Sequence, residues 1–277
     1  MSQPIYQYPH VEIDLGKLKE NLAALQERCQ ASSIEITGIV KGFSALPPAV
    51  KVYEEVGMHS VGSSRMDQLR RLREAGITAQ LMLIRIPMPC EVEEVVRWSD
   101  ISLESEIAVL RALNQAAERA GKRHKVILMV DLGDLREGFW DRDELVSAAL
   151  EVEREMPHLE LLGLGTNLGC YGSVQATPEK MEELVAAAEQ VEQAIGRRLD
   201  ILSGGASSSL HMVLDGTMPP RINHLRVGEG ILLGSIWGCN MEFMHKDIFT
   251  LRAQVIESKV KPAHPVGVLS VDAFGRT

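Results

Sequence analysis

What most limits this chain is the regular alternation of short apolar runs with longer amphipathic stretches. Apolar runs lie at 34–40, 59–62, 80–84, 99–103, 125–130, 159–164, 200–202 and 224–227, after an opening run at 11–13. Helical spacing of apolar residues fills the gaps, at about 15–31, 49–56, 66–75, 91–98, 104–120, 144–156, 178–195 and 207–214. Asp14 stands where its side chain can cap the first helix. Strands that are short and apolar on both faces, each followed by a helix, predict a parallel sheet covered on both sides. Eight of them in a chain of 277 residues predict an α/β fold closed into a (β/α)8 TIM-type barrel. The barrel is expected over residues 1–247, with an extra N-terminal strand at about 10–14. An open doubly wound sheet is the rival, but its GxGxxG turn after the first strand is missing.

The character changes after the eighth strand. Residues 242–250 read as a last short helix or a connector, and 250–260 (TLRAQVIESKV) alternates as a strand does. The rest is rich in Pro and Gly. Residues 248–277 are therefore expected to be the incomplete beginning of a C-terminal β domain. About thirty residues cannot bury a core alone, so the expectation is either that the chain is a fragment or that this piece packs on the barrel or on a partner subunit.

The formal net charge of −9 argues against a nucleic-acid partner, which selects clustered Lys and Arg. The N-terminus MSQPIYQYPH is polar and no run approaches a membrane span, so neither a leader nor a membrane partner is expected. Cys29, Cys90, Cys170 and Cys239 lack CxxC or CxxH spacing. Reduced thiols, a cytoplasmic location and no metal site follow as expectations.

In such a barrel the loops after the strand C-termini build the site. Lys41 ends the run EITGIV and would stand at the mouth, partly buried, where an amine can attack a carbonyl. A lone lysine is more often an ordinary solvated one. The run VDLGDLREG (130–138) could reach an anionic ligand atom through Arg136, or could be a solvated turn with internal ion pairs. SGGASSS (203–209) offers hydroxyls and backbone amides before a helix, and LRVGEG (225–230) ends the eighth strand. Loops in those two places are where barrels of this kind bind phosphate. Asn167, in GLGTNLGCYG (163–172), would face the same mouth and could contact a flat ligand. His59, His124 and His158 read as structural or exposed.

Together these residues resemble the alanine racemase superfamily, the fold-type III pyridoxal 5′-phosphate (PLP) enzymes. The likeness runs from PHVEIDLGKLKENL through VGSSRMDQLRRLREAG, ISLESEIAVLRALN, LGTNLGCYG and SGGASSSL. VDLGDLREG and LRVGEGILLG are similar to the alanine/ornithine racemase branch in particular. The resemblance implies PLP held as an internal aldimine on Lys41, the catalytic lysine. It implies that Arg226 meets the pyridine nitrogen and Arg136 the phenolic oxygen. Asn167 falls where alanine racemase has a ring-stacking histidine. Ser207 and Ser208, with the amides of Gly228 and Glu229, would hold the phosphate. The implied activity is racemisation by proton exchange at Cα, on ornithine or another basic or small amino acid, in a homodimer.

Three departures qualify the likeness. Gly42-Phe43-Ser44-Ala45 replaces the family's Ala-Asn-Ala-Tyr, Ala206 stands where an asparagine is expected, and most of the C-terminal β domain is missing. That domain lends a catalytic tyrosine to the neighbouring subunit, so the second base is left open among Tyr171, Asp272 and a partner's group. Asp134 could select a cationic side chain or pair with Arg136. A non-catalytic PLP-binding protein is the alternative that the short β segment favours. A metal-using aldolase or dehydratase of the same superfamily is a further one.

Overall fold

The computed structural model describes residues 8–236, 239–271 and 274–276, with 239 and 240 described in backbone only. Asp14 caps α1 (Leu15–Ala31), its carboxylate accepting from the Lys17 amide at 3.0 Å. The barrel strands follow in order: β2 (Glu35–Ile39), β3 (Ser60–Ser63), β4 (Gln80–Leu83), β5 (Ile101–Glu104), β6 (His124–Met129), β7 (Leu159–Gly165), β8 (Ile201–Ser203) and β9 (His224–Val227). They close in sequence order, every pair parallel, and β9 returns to β2 with Arg226 opposite Thr37. The helices between them are α2 (Pro47–Glu55), α3 (Met66–Glu74), α4 (Val92–Trp98), α5 (Ile107–Arg119), α6 (Arg142–Glu155), α7 (Pro178–Ile195) and α8 (Leu210–Leu214), and α9 (Glu229–Leu233) follows β9. The expected (β/α)8 barrel is the fold that forms.

Alternation along the strands sends every second side chain into the barrel. On β4, β5 and β6 these are Met82, Ile101, Leu103, Ile127 and Met129, a buried cluster joined by Leu162. Burial of each such side chain contributes about 1.5–3 kcal/mol.

The boundaries move where local chemistry is stronger than periodicity. Helix α6 begins before residue 144 because Asp141 accepts from the amides of Asp143 and Glu144. Glu104, read as helical, continues β5 with its side chain buried. The helix expected over 207–214 divides into a 3-10 turn, Ser207–Ser209, and the short α8. Of the stretch 242–250, residues 242–248 form turns rather than a helix and the last two begin a strand. Of the strand expected over 250–260, only Phe249–Arg252 forms. It is β12, following the short β10 (Ser235–Ile236) and β11 (Cys239–Asn240). Residues 253–271 have no regular structure, and the alternation in TLRAQVIESKV has no partner strand there to satisfy.

The chain divides into two units. One is the barrel, Ile13–Ile248; the other combines both chain ends, 1–12 and 249–277. The second unit contains a two-stranded sheet of β1 (His10–Ile13) and β12, with Arg252 Nε 3.0 Å from Glu12. Among the described residues no helix is long and apolar enough to cross a membrane, and no group of three His, Cys, Asp or Glu could hold a metal ion.

Candidate active site

A cavity of about 390 Å3 opens at the C-terminal ends of the barrel strands. Lys41, Arg136, Asn167, Ser207, Ser208, Arg226, Gly228 and Glu229 all line it, between apolar walls from Ile39 and Ile84. The sequence places these eight residues in five separate loops and strand ends, and barrel closure brings them together.

Lys41 opens a 3-10 turn just beyond β2. Its side chain is exposed rather than partly buried, and its amine has no hydrogen-bond or ion-pair partner among the described residues. A primary amine left unpaired at the mouth of a cavity is available to a ligand.

Arg226 is the opposite case. It is 3% exposed and projects into the barrel from β9. Its Nη1 donates to Ser203 Oγ, and its Nη2 donates to Thr166 O and Asn167 Oδ1, both at 2.6 Å. Burial pushes its pKa down to about 10 against the opposing pull of Glu137, so it remains a cation at neutral pH. Gly165 makes the space for it: a Cβ there would come within 3.3 Å of Arg226 Nη1 and 3.1 Å of Met129.

Asn167 holds its amide by two bonds, accepting from Arg226 and donating to Glu137 Oε1. Glu137 Oε2 pairs with Arg136 Nε at 2.6 Å, and Arg136 Nη1 meets Cys170 Sγ at 3.1 Å. Arg136 is therefore steadied by Glu137 and not by Asp134. Asp134 is 1% exposed, accepts from the Val174 amide at 3.0 Å and does not line the cavity. It ties the loop after β6 to the loop after β7.

The loops after β8 and β9 are joined by Ser207. Its buried Oγ accepts from the amides of Gly228 at 3.2 Å and Gly230 at 3.1 Å. Both lone pairs are thus occupied and the hydroxyl proton is left to donate. Gly228 lies against β2, where a Cβ would meet Ile39 Cβ at 3.1 Å. Ser208 donates to Leu168 O at 2.8 Å, and the exposed Glu229 begins α9.

Of the candidates for a second base, Tyr171 is 77% exposed and does not line the cavity. Asp272 lies outside the described residues. No motif assigned a role to Ser203, Glu137 or His224. For His224 a signal existed: it lies two residues before Arg226 on one strand and so shares its face.

Fold and cavity together define the class, a (β/α)8 barrel with a cavity at the strand C-termini. The sequence profile of the alanine racemase N-terminal domain matches residues 13–235. An ornithine racemase from Acetoanaerobium sticklandii is 38% identical over 270 residues, covering 97% of this chain and 76% of that protein. A lysine racemase from Thermotoga maritima is 34% identical over 271 residues, covering 97% and 75%. Among solved structures, alanine racemase from Clostridium difficile 630 in complex with cycloserine superposes with a TM-score of 0.68. Its identity is 19%, covering 90% of this chain and 67% of that one, which speaks for the fold alone. The chain belongs to the alanine racemase family, whose members use PLP, and is an amino-acid racemase.

Proposed function

We propose that this racemase binds PLP in the cavity through Lys41 and inverts ornithine or another basic or small amino acid. The reading rests on one observation: Lys41, Arg136, Asn167, Ser207, Ser208, Arg226, Gly228 and Glu229 converge on a single cavity. Its donor set suits the group. An unpaired amine and a buried guanidinium line one cavity with the apolar Ile39 and Ile84, and the Ser207 proton is free to meet a phosphate oxygen.

Bound there, PLP supplies an electron sink for charge developing at Cα. The protein's share is to bind, orient and move protons. Lys41 Nζ would hold the group and would serve as a base on one face of Cα. Arg226 is a permanent donor that does not release its proton to a ring nitrogen, which favours proton exchange at Cα over other outcomes. Arg136, held by Glu137, would present its cation to the phenolic oxygen. Racemisation needs a base on the second face as well, and that base is unassigned.

The ornithine and lysine racemases similar to this chain favour a basic substrate. We further propose a cytoplasmic homodimer. Val255, Ile256, Val260, Val266 and Val268 stand in solvent in the single chain, apolar surface of the sort that a second copy covers.

Borohydride reduction of the PLP-loaded protein followed by peptide mapping is expected to find the pyridoxyl group on Lys41. A group mapped to another lysine overturns the assignment. Cα–H exchange in deuterated water, run with the enantiomers of ornithine, lysine and alanine, is expected to be fastest with ornithine or lysine.

A further inference from the structure

The hydrogen bonds around Arg226 do not end at the cavity. Ser203 Oγ, which accepts from Arg226 Nη1, is 2.8 Å from His224 Nδ1. On the far side of the ring, His224 Nε2 is 2.9 Å from Thr37 Oγ1, which is 2.8 Å from Ser60 Oγ. Ser203, His224 and Thr37 are buried, and Ser60 is half-buried. The chain of contacts runs down the inside of the barrel through β8, β9, β2 and β3. It ends at a second cavity, of about 240 Å3, at the N-terminal ends of the strands. Thr37, Ser60 and His224 line that cavity.

The Arg226 link has a fixed direction, and the need of each buried hydroxyl proton for an acceptor orders the links beyond it. Arginine has donors only, so Ser203 must give a lone pair to Arg226. Of the two partners of Ser203 Oγ among the described residues only His224 Nδ1 can accept, so the arrangement that satisfies the buried Ser203 proton sends it there. The imidazole proton therefore sits on Nε2 and is donated to Thr37 Oγ1, whose own proton goes to Ser60 Oγ. A second ring proton, on Nδ1, would leave the buried Ser203 proton without an acceptor among the described residues and put a positive charge beside Arg226. Burial, then the Arg226 charge, pushes the His224 pKa down to about 3, in keeping with a neutral ring.

We infer that His224 is a positioning residue: through Ser203 it fixes the Arg226 guanidinium in the orientation presented to a cofactor ring in the cavity. The inference rests on the proposed use of that cavity. Nη2 is held by Thr166 O and Asn167 Oδ1, but among the described residues Nη1 is held by Ser203 alone. A serine hydroxyl rotates freely unless something takes its proton. With an acceptor at His224 Nδ1 its lone pairs face Arg226; without one, Nη1 loses its fixed partner and the guanidinium can tilt.

The first measurement needs no variant and no cofactor. In protein carrying ring-15N histidine, His224 is expected as the neutral Nε2–H tautomer throughout a titration from about pH 8 to pH 5. An Nδ1–H tautomer or an imidazolium in that range overturns the inference. The second uses PLP-loaded His224→Leu, His224→Asn and His224→Gly. Loss of the acceptor in the Leu variant is expected to lower kcat by roughly 10- to 100-fold with little change in KM. It is also expected to shift the visible band of the bound cofactor. Asn keeps an acceptor near the Nδ1 place and should restore most of the rate. Imidazole, entering by the lower cavity, should partly rescue the Gly variant. A Leu variant with the wild-type rate and band overturns the proposal. If no PLP is taken up, the proposed function fails while the tautomer measurement on the bare protein still decides this one.

Discussion

The inside of the barrel has two unlike halves. Strands β4, β5 and β6 fill it with Met82, Ile101, Leu103, Ile127 and Met129. Strands β8, β9, β2 and β3 fill it with Ser203, His224, Arg226, Thr37 and Ser60. Both halves are buried, yet burial does different work in each. In the first it supplies stability, without direction, in proportion to the apolar area removed from water. In the second, each hydrogen bond replaces one made to water and adds only about 0.5–1.5 kcal/mol net. What the polar half gains is orientation, because a satisfied chain of donors and acceptors has one arrangement. The outer faces of β5 and β6 act as a natural control. Ser102, Glu104 and His124 form a buried polar cluster there, alternating with the apolar residues, and none of them lines the upper cavity.

The largest expected effect comes from the rim of the polar half. Lys41→Ala removes an amine with no partner among the described residues, so stability should hold within about 0.5 kcal/mol. Cα–H exchange should fall by roughly 10²–10⁴-fold or more. Exchange within tenfold of wild type would break the division of labour at its start. Ile127→Ala, in the apolar half, should do the reverse. It should cost about 2–5 kcal/mol in urea unfolding, with the rate per folded molecule unchanged. A matching loss of rate would mean that the two halves are coupled through packing.

The control cluster sharpens the comparison through pH. Burial lowers the His124 pKa from 6.5 to about 4. The unfolded chain therefore binds this proton first. The contribution of His124 is complete above pH 6.5 and is lost as pH falls from 6.5 towards 4. His124→Gln should flatten that part of the stability profile, by on the order of 1–3 kcal/mol, and leave the rate unaltered. Glu104 runs the other way. Burial raises its pKa well above the ordinary carboxylate value, and Oε2 has no partner among the described residues. Its contribution is complete below about pH 4.5 and is lost as pH rises towards the folded pKa. Glu104→Gln should remove that slope, raising stability at pH 7 relative to pH 5 by about 1 kcal/mol. Melting curves at the two pH values measure it, and an unchanged difference would show that the carboxyl is not the source.

Legibility in the sequence followed the range of the interaction. Helices α1 and α7 lie where periodicity and caps put them, at Leu15–Ala31 and Pro178–Ile195. The caps act within four residues and the apolar spacing repeats locally. Lys41, Ser207 and Arg226 could be singled out because strand ends and the loops after them face one mouth in any such barrel. Asp134 shows where this stops. It lies two residues from Arg136 in a loop rich in charge, yet its carboxylate is spent on Val174, 40 residues away. The strand expected over 250–260 fails for a related reason: alternation states which face a strand would bury, but not whether a partner lies beside it.

By itself, then, the sequence determined the order of strands and helices, the closed barrel they imply and the residues at its mouth. These follow from short-range periodicity and from which surfaces must leave water. Only the tertiary structure decided which groups bond to which. Thr37 and His224 are 187 residues apart and meet because β9 closes against β2. No local pattern specifies that contact. A hydrogen bond depends on angles and tenths of an ångström, and the packing of the whole barrel sets those.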